Sequence, residues 1–244
     1  MIKLERTFSP IHLNPVEVKR LTNIFKITRE NVWADERIKS ALLQLSFGKC
    51  AYCECELTTE AKYMEVEHFA FKEDYPDEVV EWNNLLPSYK RCNTTKGAHD
   101  VRKEGIVNPF LDYPKAHFSF AAYRFRPISK IGETTSIVIG INHSERAVNV
   151  RFQIGEQIHS AVDSAIDRLD NYQENTTNLR RRKLIASVEG LLSECLPSVP
   201  YAATAATVLH KHSRYDFLKK QMETSGVWTL QLESLHLESL EICL

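Results

Sequence analysis

The stretch FGKCAYCECELTTEAKYMEVEHFAFKEDYPDEVVEWNNLLPSYKRCNTTKG, residues 47–97, decides how this chain is read. Turn formers, aromatics and charges are interleaved too closely in it for one long amphipathic helix, whose apolar residues must recur every three to four positions. Two short strands followed by a helix beginning near Cys92 are predicted instead. Chemistry-bearing residues stand at four places along the stretch. These are Cys50-x-x-Cys53 with Cys55 just after it, the pair Glu67-His68, the element Trp82-Asn83-Asn84-Leu85, and Cys92-Asn93-x-x-Lys96. Sixteen residues separate His68 from Asn84 and nine separate Asn84 from Asn93, a scale that fits two strands and the start of a helix.

Taken together, the four elements resemble the HNH nuclease family and its ββα-metal core. The resemblance implies a metal-dependent endonuclease, a phosphodiester hydrolase, and gives each residue a role. His68 is implied as general base, since a neutral imidazole with a pKa of ~6.5 suits proton removal from water. Glu67 and Asn93 are implied as hard oxygen ligands for Mg²⁺ or Mn²⁺. Asn84 is implied to support catalysis by holding the loop and the orientation of the histidine. Lys96, one helical turn past Asn93, is placed among the catalytic residues as a point charge for an adjacent phosphate. With Lys90 and Arg91 it makes the local basic surface expected to meet nucleic acid.

Each residue has a plainer reading. A lone Glu-His pair is usually a surface dipeptide, and only the company of the other elements reverses that. Trp82, with Leu85 and Leu86, is read as core, and His99 as a solvated loop histidine. Members of the family commonly bracket the core with two CxxC pairs around a structural Zn²⁺. Cys50, Cys53 and Cys92 fit three of those positions, but the fourth falls at Tyr89. Either Cys55 completes a zinc site or the cysteines pack as small buried hydrophobes.

Outward from this core, NPVEVKRLTNIF and ADERIKSALLQLSFGKC predict two helices, the second with Ile38, Leu42 and Leu45 on one face. HFSFAAYRFRPI and TTSIVIGI predict strands. Beyond Asn142 nearly everything reads as helix. The expected fold is α+β: an N-terminal helical segment (1–46), a ββα-metal nuclease core (47–105), a small β-structured arm (106–142) and a mainly helical C-terminal region (143–244). The run Arg180, Arg181, Arg182, Lys183 is read as a solvated helix face.

A net charge of −1 excludes a protein whose whole surface is a nucleic-acid magnet, so any such contact must be local. No window approaches the ~18 apolar residues of a membrane span, and the start lacks a signal peptide. A cytoplasmic protein without membrane contact is expected. GIVNPFLDYPKAHFSF and TSIVIGINHSERAVNVR look like the region that follows the core in nuclease subunits of Septu-type and retron-associated antiphage defence systems. That resemblance implies an ABC/SMC-like ATPase partner and a nucleic-acid substrate, DNA first and RNA as the alternative. Two other classes stay open: a zinc-ribbon-like nucleic-acid-binding module, and a helical adaptor without catalysis.

Overall fold

The computed structural model describes residues 1–58 and 64–244. Two compact units emerge, one formed by 1–119 with 125–142 and the other by 120–124 with 143–244. Both α-helix and small antiparallel sheets are present, so the chain is α+β.

In the first unit, α1 (Pro15–Thr28) starts where Asn14 accepts from the amides of Val16 and Glu17, with Pro15 supplying the preset φ of a first helical turn. Helix α2 (Glu36–Leu45) is capped by Asp35 and buries Ile38, Leu42 and Leu45, the face its spacing predicted. Its Ile38 and Leu42 pack on Val66 and Leu85, and so seat the strands of the candidate site. Strand β1 (Met64–His68) pairs antiparallel with β2 (Leu85–Tyr89), with His68 opposite Leu85 and Glu67 opposite Leu86. Helix α3 (Lys90–Lys96) follows β2 with no intervening loop.

The turn that carries the first cysteines docks on this pair. The Ala51 amide donates to the Pro87 carbonyl at 2.9 Å, while the turn itself closes through Cys50 N–H to Cys55 O at 2.9 Å. Glu54 sits there at φ 63°, a left-handed conformation that a non-glycine residue adopts only when its neighbours enforce it.

A hairpin of β3 (Phe118–Ala121) and β4 (Arg124–Pro127) comes from HFSFAAYRFRPI. Its two-residue turn, Ala122-Tyr123, has both φ angles positive, the twist-matched form for a tight hairpin. The expected strand at TTSIVIGI is corrected: it lies in helix α4 (Lys130–Ile139). Local β propensity loses there to capping and burial. Ser129 accepts from the Gly132 amide, Gly140 ends the helix at φ 63°, and Gly132, Thr135 and Ile139 are buried at helical spacing. The β-structured arm expected over 106–142 is therefore a hairpin plus a helix.

The second unit is helical: α5 (Asn149–Glu174), α6 (Asn178–Ser193), α7 (Ala202–His210), α8 (Ser213–Thr224) and α9 (Leu230–Glu241). Its core gathers Val162, Leu169, Leu184, Val188, Leu192, Leu218 and Leu232. Within the region expected to be helical, YAATAATVLHKHSRYDFLKKQM breaks after His210, where the His212 side chain caps α8 by accepting from the Arg214 amide. In α6, Arg180 and Arg181 are half-buried while Arg182 and Lys183 are exposed.

Candidate functional site

β1 ends in Glu67-His68, and side chains along a strand alternate between its two faces. Glu65 and Glu67 therefore share one face of β1. His68 shares the other with Val66, which packs on α2. At the strand end a cleft of about 670 Å³ is lined by Glu65, Glu67, His68, Lys72, Asn93 and Lys96, among others. Four of the sequence-predicted residues, Glu67, His68, Asn93 and Lys96, thus meet at one place.

His68 is buried and held on both sides. Its Nε2 donates to the Val79 carbonyl at 2.9 Å, and the Trp33 ring meets it edge-on with centroids 4.6 Å apart. A carbonyl can only accept, so this bond fixes the tautomer and leaves Nδ1 with a free lone pair. Burial lowers the imidazole pKa to about 4, opposed by the Val79 bond and helped by the charges of Lys72 and Lys96. The ring is neutral near pH 7.

Asn84 supplies the support for that geometry. Its Nδ2 donates to the carbonyls of Ala70 and Glu78, both at 3.1 Å, and its Oδ1 accepts from the Ala70 amide at 2.7 Å. The two ends of the loop 70–78 are thereby tied to one side chain. The neighbouring carbonyl, that of Val79, is the one that holds His68. Trp82 donates from its indole to the Phe8 carbonyl at 3.0 Å and packs beside the core around Val66 and Leu85.

Glu67 and Lys96 form a buried ion pair, Oε1 to Nζ 2.7 Å. Burial pushes the Glu67 carboxyl up to about 7 against the pull of the Lys96 ammonium. Lys96 also donates to the His68 carbonyl at 2.9 Å. Its side chain is only 1% exposed, so the ammonium expected to meet a phosphate is turned inward onto the strand end. Lys90 and Arg91, in contrast, are exposed on α3. Asn93 donates from Nδ2 to Glu65 Oε2 at 2.8 Å. Sequence reasoning missed Glu65. The signal was its position two residues before Glu67, on the same strand face.

The sulfur atoms of Cys50, Cys53 and Cys92 lie within 4.8 Å of one another. Four thiolates around Zn²⁺ at ~2.3 Å have sulfurs ~3.8 Å apart, so these three residues fit a tetrahedral site. Cys55 is buried in the same turn, beside Cys50 and Cys53, but lies outside the group of three mutually close sulfurs. Burial raises the Cys50 thiol, but bonds from Cys53, Cys55 and Cys92 outweigh it and hold the thiol well below its ordinary range. Tyr89 occupies the N-cap position of α3 and adds no sulfur. His99 bonds the Glu104 carbonyl at 2.7 Å. Among the described residues no helix is long and apolar enough to cross a membrane.

No family model matches the sequence, and no solved structure matches it. Two curated relatives do. The chain is 40% identical over 237 residues to the Septu protein PtuB of Bacillus thuringiensis, which covers 96% of this chain and 92% of that protein. It is 26% identical over 280 residues to the Septu protein PtuB of Bacillus mycoides (strain KBAB4), covering 91% and 92% respectively.

Proposed function

This chain belongs to the family of the Septu protein PtuB, and from that premise we propose that it is an HNH endonuclease whose ββα-metal core is β1, β2 and α3. The observation that carries the proposal is the oriented histidine: His68 is fixed through Nε2 to Val79 and lines one cleft with Glu67 and Asn93. His68 is anchored at one nitrogen and leaves the other for a proton.

In the proposed reaction His68 Nδ1 takes a proton from water, the hydroxide oxygen bonds to phosphorus, and one ester P–O bond breaks. The departing alkoxide is protonated from solvent. Glu67 and the Asn93 amide oxygen are the residues that would hold Mg²⁺ or Mn²⁺. The cation would supply positive charge where negative charge grows on the phosphate oxygens. Oxygen donors of this kind suit both ions. Lys96 is a positioning residue in this account: it neutralises Glu67 and braces the His68 carbonyl. Lys90 and Arg91 remain the cations of α3 able to meet a phosphate backbone. Cys50, Cys53 and Cys92 would hold a structural Zn²⁺ that ties the first cysteine turn to α3.

At the level of the cell, the chain would serve as the nuclease arm of an antiphage defence system, working in the cytoplasm with an ATPase partner, as the resemblance of its sequence implies. Leu230, Leu237 and Leu240 of α9 are exposed by 91%, 53% and 44%, an apolar row available to such a partner. Incubating the purified chain, alone and co-expressed with its operon's ATPase, with DNA and RNA in Mg²⁺ or Mn²⁺ tests the proposal. Cleavage that EDTA abolishes is the expected result. No cleavage of either polymer under any of these conditions overturns it.

A further inference from the structure

We propose that Glu65 is a positioning residue of the cation site, which fixes the Asn93 amide so that its oxygen is the atom offered to the metal. The inference rests on the reading of Glu67 and Asn93 as cation ligands and extends it to a residue outside that pair. A carboxylate can only accept hydrogen bonds, so an amide that meets one must turn its N–H toward it. The 2.8 Å contact between Asn93 Nδ2 and Glu65 Oε2 therefore settles which end of the amide faces which way. The carbonyl oxygen is turned away from Glu65.

An unrestrained asparagine does not have this property. Its terminal torsion is broad and nearly two-fold, so nitrogen and oxygen would trade places. An amide nitrogen pointed at a cation offers no lone pair. Glu65 removes that alternative from across the α3–β1 packing, and the strand delivers it there because Glu65 and Glu67 are two residues apart on one face. One helix residue and two strand carboxylates thus line the cleft, Glu67 paired with Lys96 and Glu65 with the Asn93 amide.

The test is Mn²⁺ binding to the full-length protein, followed by calorimetry and by the electron paramagnetic resonance of free Mn²⁺, with a thermal melt on each variant. Loss of a residue that orients a ligand typically weakens metal affinity ~10–100-fold. Glu65→Ala is expected to fall in that range, and Glu65→Asp to recover part of the loss. In an Asn93→Ala background, Glu65→Ala should cause no further weakening, because its effect passes through the amide. Wild-type affinity in a folded Glu65→Ala protein, with loss in Asn93→Ala, overturns the role of Glu65 and leaves the cation site standing. Additive losses in the double variant also overturn it, since Glu65 would then bind the metal independently. A wild-type chain that takes up no Mn²⁺ overturns both the site and its extension.

Discussion

Single side chains in this protein carry several backbone groups at once. Asn84 satisfies three from the loop that faces His68. Asn84→Ala should cost about 1–3 kcal/mol for each buried group left without a partner, and should free the Val79 carbonyl from its register with the imidazole. Urea denaturation measures the first effect, and a loss of cleavage larger than the loss of stability explains marks the second. Lys96 raises a different issue, because its removal strands Glu67 in a site only 2% exposed. Breaking one half of a buried pair costs ~3–5 kcal/mol, so Lys96→Ala should melt far below wild type. A Lys96→Ala protein with unchanged urea midpoint would show that the pair contributes nothing.

Among the elements, those whose caps and apolar period agree with local propensity were legible in the sequence, and those whose β-branched run is overruled by capping and tertiary contacts were not. Helices α1 and α2 announce themselves through Asn14-Pro15, Asp35 and the Ile38-Leu42-Leu45 stripe. Helix α4 does not, because its β-branched run reads as strand until one sees Thr135 Oγ1 bonding the Ile131 carbonyl at 2.6 Å and accepting from the Val107 amide at 2.8 Å. The residues of the site could be listed from motif spacing, but their partners could not. That Lys96 turns inward and that Glu65 meets Asn93 depend on how α3 lies against β1, which no spacing encodes. The packing of α4 also makes a test. A Cβ at Gly132 would lie 2.3 Å from the His117 carbonyl oxygen, so Gly132→Ala should destabilise by ~1–3 kcal/mol despite alanine's better helix propensity. In the second unit, burial and then the neighbouring His236 lower His210 to about 4, below its unfolded value of ~6.5. The unfolded chain binds that proton more readily, so the contribution of His210 is complete above pH ~6.5 and is lost as pH falls toward 4. Melts across that window should decline less steeply for His210→Gln.

At the scale of the whole molecule, a near-neutral chain combines the proposed phosphodiester-cleaving site with a helical unit built around an apolar core. Neutral proteins gain little affinity from counterion release, so strong substrate capture is expected only with the proposed ATPase partner present. The cysteine cluster adds a further expectation: elemental analysis should find about one Zn²⁺ per chain, lost in Cys92→Ser. A stable, active protein without zinc would show that these cysteines serve only as packing. The central claim is that His68 removes the proton while its neighbours hold the cation, and the most direct measurement pairs cleavage with Mn²⁺ binding in His68→Ala. Cleavage should fall ~10²–10⁴-fold with Mn²⁺ still bound and the fold intact. Unchanged turnover in that folded, Mn²⁺-loaded variant would contradict the account.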